Sequence, residues 1–439
     1  MKFLKYLTIL VAVGASFTNP LNAEAGVKRE IRERDFQAVQ EFVNSKRTIP
    51  MSEKDTQLTI SGDIRFGWAS VTERVNCQRL RGGSGVARQV EGTDTIIRST
   101  DRTAGIPYSN NEFEVELNLY FDYVCDRSWG VAWLQFDNYA GLERGGKPCT
   151  LDPQGLYGSG TCEQICLKKA YMGYNICADG CSRFDIELGR RPLYNVFDSR
   201  VQFQSRFDGI LFRYARNFGC YGDFYWNTGL FVIDERINHY GYVSELGILN
   251  YCGYGVDLKY SFIDWRSWLS DDTNRCGTKH PAGADYQISQ ITAHYNFMTD
   301  CLCTPVKIYG AFLYNHAARK REITDENKDN IAWYLGFIAG RVCREGDWAF
   351  DANYQVVEAQ AIPDRDVSGI GDRSNVLRET FTADGRGFTN YRGWRFEALY
   401  ALTDNLTIDA ILEFLRQDRR AAGGKHDYSK FEVQAIYAF

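Results

Sequence analysis

The chain has 439 residues and a formal net charge of -5. A single soluble core rarely grows beyond about 250–300 residues, so this length favours several domains or a membrane barrel, whose wall needs no central core. A mean hydropathy of -0.38 excludes a bundle of transmembrane helices, and the acidic balance without a basic stripe excludes a nucleic-acid partner. Aromatic residues make up 14% of the chain, which suits strands that place alternate side chains in lipid and in water.

Residues 1–25 are typical of a signal peptide. Lys2 and Lys5 flank the start of an apolar stretch at 7–13, and residues 23–25 read Ala-Glu-Ala, a common cleavage pattern. The alternative is a membrane anchor, but the stretch is shorter than the roughly 18 residues that a spanning helix needs. We therefore expect the mature chain to be exported.

The next segment, 26–55, is predicted to form a short helical element on the periplasmic side. Ile31, Val39, Phe42 and Val43 recur at helical spacing, and Pro50 ends the pattern. A small periplasmic element, a short coiled coil and a loosely attached amphipathic segment are all compatible with this spacing.

From Leu58 to the end of the chain the hydrophobic period is two, which predicts strands. In the run 112–123, apolar and polar residues alternate over a length that can cross a membrane when tilted, about 9–11 residues, whereas strands of soluble sandwiches average about 5–6. Sixteen such segments are predicted, at 57–69, 112–123, 129–139, 165–176, 183–189, 207–215, 221–233, 243–249, 254–264, 286–297, 306–316, 331–341, 348–357, 391–402, 406–416 and 428–439.

The lengths of the connections also alternate along the chain. Long ones, such as 70–111, 140–164 and 358–390, follow odd-numbered segments, and short ones follow even-numbered segments. Long external loops and short periplasmic turns are characteristic of outer-membrane barrels. The predicted fold is therefore all-β and transmembrane, a 16-stranded antiparallel outer-membrane β-barrel over residues 56–439, preceded by the short helical segment.

The last predicted strand ends at the final residue, Phe439. Tyr437 and Phe439 share one face of this strand. The ending resembles the C-terminal signal by which outer-membrane barrels are recognised for insertion, so we expect Tyr437 and Phe439 to act in assembly.

Several stretches resemble a family of bacterial porins. They are Lys169–Tyr174, Leu188–Pro192, Phe207–Ile210, Gly346–Tyr354, Glu358–Ala361, Asn390–Trp394 and Ala401–Leu406. The resemblance implies a channel across the outer membrane for small solutes, and general porin architecture implies a homotrimer. The chain departs from the family in its many cysteines, which resemble those of the cysteine-rich outer-membrane proteins of chlamydia-like bacteria.

The third long connection, 190–206, is predicted to fold inward and to narrow the channel. It carries Arg190, Arg191, Asp198, Arg200 and Arg206. Arginines that face carboxylates across a pore select solutes by size and charge. The opposing wall residues are predicted to be Glu114, Glu116, Asp185 and Glu187. A merely solvated external loop is the alternative.

Thirteen cysteines are expected in an oxidising compartment, where disulfides are the default. The odd count leaves at least one thiol free or bonded to a partner. Eight candidates for disulfides lie in short connections: Cys125, Cys177, Cys181, Cys220, Cys252, Cys301, Cys303 and Cys343. We expect some to staple neighbouring turns and others to link envelope proteins. The spacings are irregular and contain no C-x-x-C pair, which disfavours a metal site.

Other chemistry has little support in the sequence. Asp364, Asp366, Ser368 and Asp372 resemble half of a calcium loop, but the twelfth position is an asparagine, so an acidic turn is the first interpretation. No other cofactor is indicated. The chain lacks the G-x-S-x-G and H-E-x-x-H motifs, so we predict that it is not an enzyme.

These observations predict a porin of the bacterial outer membrane that admits small hydrophilic solutes and ions and is linked by disulfides in the envelope. Its partners would be lipid, solutes, other envelope proteins and copies of itself. One alternative is a structural or adhesin-type barrel without an open pore. A second is a barrel hydrolase that uses, for example, His294 near Ser289.

Overall fold

The computed structural model describes fourteen segments of the chain. They are 49–53, 56–75, 77–79, 86–89, 96–99, 111–137, 164–234, 239–265, 286–299, 304–320, 324–363, 366–370, 389–419 and 425–439. Within these segments, no helix has both the length and the apolar character needed to cross a membrane. The signal peptide predicted at 1–25 and residues 26–48 of the segment 26–55 lie outside the described residues.

Sixteen long strands form one antiparallel sheet. They are β1 (Thr56–Val75), β2 (Asn111–Cys125), β3 (Ser128–Asp137), β4 (Gln164–Ala178), β5 (Ser182–Pro192), β6 (Arg206–Asn217), β7 (Asp223–Asp234), β8 (His239–Tyr251), β9 (Val256–Asp264), β10 (Gln287–Thr299), β11 (Thr304–Asn315), β12 (Ile331–Gly340), β13 (Trp348–Val357), β14 (Tyr391–Ala401), β15 (Leu406–Gln417) and β16 (His426–Ala438). Each predicted segment corresponds to one of these strands.

The sheet closes on itself. Each strand pairs with the next one in the chain, and β1 pairs on one edge with β2 and on the other with β16. Asp63 of β1, for example, lies between Asn118 of β2 and Ala438 of β16. The predicted 16-stranded antiparallel β-barrel is therefore confirmed, and closure leaves no free sheet edge along most of the wall.

Side chains alternate between the outside of the barrel and its lumen. On β2, Phe113 and Val115 are exposed on the outer face, whereas Asn118 and Asp122 are buried on the inner face. The same alternation holds on β14, where Trp394 points outward and Glu397 points inward. The barrel thus has an apolar, aromatic outer surface and an interior that holds many polar and charged residues beside one hydrophobic cluster. An apolar outside and a polar inside are typical of a transmembrane barrel.

Short turns lie at one end of the barrel and most long connections at the other. Described connections at the short-turn end include 126–127, 179–181, 252–255 and 402–405. The chain ends there, and Phe439 exchanges two backbone hydrogen bonds of 2.9 Å with Gly62. A Cβ at position 62 would lie 2.6 Å from both the Asn118 carbonyl oxygen and the Phe439 ring, so this close approach requires glycine. Tyr437 and Phe439 both point outward at this end.

A short strand, Ile49–Glu53, continues the wall beyond Phe439. It pairs with the first residues of β1, with Ile49 opposite Ile60 and Glu53 opposite Thr56. These residues belong to the segment 26–55; they lie where the predicted helical pattern ends, around Pro50, and they are extended. The physical reason is that β16 stops beside Gly62 and leaves an edge of β1 that this strand covers.

Candidate functional site

Residues 193–205, called the constriction segment below, connect β5 to β6 and fold into the barrel. The segment begins with a 3-10 turn at Leu193–Asn195, and its two ends are joined by a 2.8 Å hydrogen bond from the Leu193 amide to the Ser205 carbonyl. Leu193, Phe197, Val201 and Phe203 are fully buried and belong to one hydrophobic cluster. Burial of these apolar side chains makes an inward fold favourable, because a solvated external loop would expose them.

The tip of the constriction segment is fixed to the barrel wall through Asp198. Its carboxylate lies 2.9 Å from Nζ of Lys259 and 3.2 Å from Nε2 of His294. Its backbone amide donates a 3.0 Å hydrogen bond to the carboxylate of Glu245. Three neighbouring strands, β8, β9 and β10, therefore hold one loop residue by charged groups, which form stronger hydrogen bonds than neutral ones.

A second attachment joins Arg200 to another part of the wall. The Arg200 guanidinium lies 3.1 Å from the carboxylate of Asp351 on β13. It also lies over the ring of Tyr309, 4.9 Å from the centroid, and the Tyr309 hydroxyl donates a hydrogen bond to Asp351. The cation thus has both a carboxylate and an aromatic face as partners.

A third attachment comes from the described loop residues 366–370. The two carboxylate oxygens of Asp366 accept hydrogen bonds from the amides of Phe203, at 3.0 Å, and Ser205, at 2.9 Å. The Ser368 hydroxyl donates to the Gln202 carbonyl at 2.7 Å. Asp366 and Ser368 belong to the candidate calcium loop of the sequence analysis. In the structure, both carboxylate oxygens of Asp366 accept hydrogen bonds from loop amides. Asp364 and Asp372 lie outside the described residues.

The predicted constriction arginines do not lie together. Arg191 points into the lumen, forms an ion pair with Glu187 and lies over the Tyr171 ring at 4.5 Å. Arg190 points outward, because side chains alternate along β5, and forms a 2.6 Å ion pair with Asp208. Its predicted place in the pore is therefore wrong. Arg206 is exposed at the start of β6.

The predicted opposing carboxylates all lie on inner faces. Glu114 and Glu116 are on β2, and Asp185 and Glu187 are on β5. Two other acidic residues of the wall bind the constriction segment: Glu245 accepts the Asp198 amide, and Asp351 pairs with Arg200. Sequence analysis missed Glu245, Lys259 and His294 as partners, although their strand positions mark them as inward-facing.

Charge is unevenly distributed around the described part of the lumen. The inner faces of β13–β16, β1 and β2, called the acidic wall below, hold many more acidic than basic residues. The acidic ones are Asp63, Glu73, Glu114, Glu116, Asp122, Asp351, Glu397, Asp409, Glu413 and Glu432; the basic ones are Arg65, Arg395 and Lys430. On β4–β11 the two signs are similar in number: Asp185, Glu187, Asp223, Glu245 and Asp257 against Lys169, Arg183, Arg191, Arg213, Lys259 and Lys307.

Six described cysteines lie at the short-turn end: Cys125, Cys177, Cys181, Cys220, Cys252 and Cys343. Among these cysteines, none forms a disulfide within the chain, and Cys177, Cys181 and Cys220 are exposed. Cys301 and Cys303, also predicted for this end, lie outside the described residues. The predicted stapling of neighbouring turns is thus not seen for the six.

The residues considered for hydrolysis are separated by the sheet. His294 points into the lumen and Ser289 points outward from the same strand. The Ser289 hydroxyl is instead 2.8 Å from Nε2 of His316 and 3.0 Å from the Tyr260 hydroxyl, on the outer face. A hydrolytic serine–histidine pair also needs a group that orients the histidine. Among the described residues His316 makes no further side-chain hydrogen bond.

Metal chemistry has no candidate centre in the part of the chain that the structure describes. No group of three or more His, Cys, Asp or Glu side chains is arranged there to hold an ion. Several charged lumen residues are paired with one another, as Arg65 is with Asp63 and Arg395 with Glu397.

Comparison with known proteins finds similarity in structure only. No family model matches the sequence, and no curated protein does. Solved structures with a similar course of the chain include Pseudomonas putida OprB, at 10% identity over 87% of this chain and 94% of that one, with a TM-score of 0.47. Salmonella typhi OmpF in complex with daunomycin has 11% identity over 89% and 100%, with a TM-score of 0.46. A triple mutant of the Rhodopseudomonas blastica porin has 8% identity over 87% and 100%, with a TM-score of 0.40.

Proposed function

We propose that the chain is a porin of the bacterial outer membrane, a water-filled channel for passive diffusion of small hydrophilic solutes and ions. The observation that carries this proposal is the constriction segment, which enters a polar lumen and is held there by Asp198, Arg200 and Asp366. A barrel of sixteen strands is wide enough for an aqueous channel. An inward segment with fixed charges would set the size and charge of what passes.

The outer surface supports a location within a lipid bilayer. Exposed aromatic and aliphatic side chains, among them Phe66, Phe113, Trp394 and Phe414, lie on the outward positions of neighbouring strands. A soluble protein rarely leaves such a continuous apolar surface exposed. The short turns would face the periplasm and the long connections the exterior, as in other outer-membrane barrels.

The distribution of charge favours cations as the preferred ions. Asp198 fixes the tip of the constriction segment to β9 and β10, where both signs of charge occur. Arg200 engages Asp351 of the acidic wall, and the acidic residues of that wall on β14–β16, β1 and β2 would line much of the remaining passage. A lumen with excess negative charge concentrates cations and repels anions, more strongly at low ionic strength.

Planar bilayer recording of the purified full-length protein tests the channel. We expect discrete conductance steps. In a salt gradient, we expect a reversal potential whose sign shows a preference for cations over anions. A structural or adhesin-type barrel would give no steps. A hydrolase would cleave lipid esters and lose that activity in Ser289→Ala, a change that should leave the conductance intact because Ser289 points outward.

Assembly in the envelope is a separate part of the proposal. Six described cysteines lie at the short-turn end and form no disulfide with one another. In an oxidising compartment they would form disulfides with neighbouring envelope proteins. A homotrimer is proposed from the barrel architecture alone. Light scattering of the detergent-solubilised protein measures the number of copies directly.

A further inference from the structure

A row of arginines crosses four adjacent strands at the long-loop end of the barrel. In the sheet register Arg392 of β14 lies opposite Arg416 of β15, Arg416 lies opposite Asp427 of β16, and Asp427 lies opposite Arg74 of β1. All four occupy outward positions, because side chains alternate on each strand. The row is therefore on the outer surface and not in the lumen.

The row holds three arginines and one carboxylate, Asp427, which lies opposite both Arg416 and Arg74. Arg392 is 3.7 Å from Asp418, and Asp427 is 3.2 Å from Lys425, a further basic residue beside the row. Among the described residues, Arg74 and Arg416 have no ion-pair partner within 4 Å. Arg392 and Arg416 are like charges directly opposite one another on antiparallel strands, an arrangement that destabilises a sheet. An anion that bridges the guanidinium groups would remove this repulsion.

The succession of arginines on neighbouring strands lies on one side of the described barrel wall. At the long-loop ends of β7, β8 and β13 the corresponding outward residues are Val232, Tyr240 and Val356. On β5 and β6 the outward arginines are Arg190, which has Asp208 as its partner, and Arg206, which is exposed at the start of β6. The row is thus a local feature of the surface and not one part of a uniformly basic rim.

Aromatic side chains lie directly beside the row, toward the short-turn end. Trp394 and Phe414 are each two residues from an arginine of the row, on the same outward faces, and both are exposed. Phe431 of β16 is also exposed and contacts Trp68 of β1 edge to face, with ring centroids 6.1 Å apart. Basic groups next to an aromatic belt match the headgroup and upper acyl region of a lipid leaflet.

We propose that this row, Arg74, Arg392 and Arg416, binds the phosphate groups of an anionic lipid in the outer leaflet. The guanidinium group suits phosphate because it donates two parallel hydrogen bonds. The aromatic side chains below would contact the acyl chains of the same lipid. The inference rests on the proposed location of the barrel in the outer membrane, but not on whether its pore conducts.

The test uses the full-length protein in detergent and a diphosphoryl lipid A as the probe, with native mass spectrometry to measure bound lipid. The double substitution Arg74→Gln and Arg416→Gln should weaken binding roughly 30-fold, since each arginine near an anionic surface contributes about fivefold. Arg190→Gln is the matched control, because it removes an outward arginine at the same end that already has a partner. In the double variant, Arg416→Lys in place of Arg416→Gln should recover about fivefold of this loss, because the charge at that position is retained.

Two further experiments distinguish binding of the phosphates of the lipid from binding of its acyl chains and from binding of free phosphate. The same lipid without its phosphates should bind weakly to every variant, and inorganic phosphate at equal concentration should not displace the intact lipid. The proposal is overturned if the double variant binds the lipid within threefold of wild type, or if Arg190→Gln weakens binding as much. Bilayer conductance is recorded separately, so that loss of channel function and loss of lipid binding are distinguished.

Discussion

The carboxylate of Asp198 lies 2.9 Å from the ammonium group of Lys259, and the two side chains are only 3% and 5% exposed. This pair joins a loop residue to a strand residue 61 positions further along the chain. It converts the connection between β5 and β6 into part of the interior of the barrel. The properties of the proposed channel should therefore depend on this contact.

Loss of the pair should widen the passage. In Asp198→Asn the Lys259 ammonium keeps its buried position without a carboxylate, which costs on the order of 3 kcal/mol for a buried pair. We expect the tip of the constriction segment to detach and the single-channel conductance to rise. Arg190→Gln serves as the control, since that side chain points outward. Equal conductance in wild type and Asp198→Asn would contradict the role assigned to this contact.

The two hydrogen bonds that Asp366 accepts from the amides of Phe203 and Ser205 should control local opening of the constriction segment. Asp366→Asn retains one carbonyl oxygen, so one of the two loop amides loses its acceptor, and a hydrogen bond to a charged group contributes about 1.5–3 kcal/mol. We expect hydrogen exchange at the amides of Phe203 or Ser205 to accelerate by roughly tenfold or more. Ser368→Ala removes one neutral hydrogen bond from the same loop and should have a smaller effect. Unchanged exchange at both amides would show that these hydrogen bonds do not limit local opening of the constriction segment.

Charge on the acidic wall should set ion preference. Glu114 and Glu116 point inward and are only partly buried, so they can be neutralised without stranding a buried charge. We expect Glu114→Gln with Glu116→Gln to lower the cation preference, and Arg191→Gln to raise it, because the first change removes negative charge and the second removes positive charge. Reversal potentials in a salt gradient measure both. Shifts of the same sign would refute the electrostatic explanation.

The connections around Asp329 and Glu358 should be more stable in mild acid. Burial raises the pKa of Glu358 above its ordinary value of 4.5, and burial also raises the pKa of Asp329 above 3.8. A raised carboxyl pKa means that the folded state favours the neutral acid. This contribution to stability is full below the ordinary values and is lost as the pH rises through the raised ones.

Hydrogen exchange of the amides near these carboxyls, corrected for the intrinsic rate, measures the effect. We expect protection to increase between neutral pH and about pH 5, and Glu358→Gln to be less sensitive to pH than wild type. Asp208→Asn, on the outer face of β6, is the control. Protection that falls on acidification would contradict the assignment of these pKa directions.

The exposed cysteines at the short-turn end should carry any cross-link to the envelope. In cells lysed with a thiol blocker, we expect a high-mass species on non-reducing gels that disappears on reduction. Replacement of Cys177, Cys181 and Cys220 by serine should diminish it, because these three thiols are exposed. The same migration with and without reductant would rule out disulfide linkage.

The strands of this protein could be predicted because each depends on a local pattern. Alternation in runs such as 112–123 places one face in lipid and one in water, and a shift by one residue would reverse every side chain. The same rule could have placed Arg190 on the outer face, because the odd-numbered positions of this strand, among them Glu187 and Arg191, face the lumen. It also separates His294 from Ser289.

The contacts of the constriction segment could not be predicted in this way. Phe203 and Asp366 are 163 residues apart, and Arg200 and Asp351 lie on a loop and a distant strand. Their proximity depends on closure of sixteen strands into a cylinder, which brings loop and wall together across the lumen. Periodicity along the chain therefore decided which residues face inward, whereas only the closed barrel decided which of them meet, because contacts across a lumen leave no local pattern in the sequence.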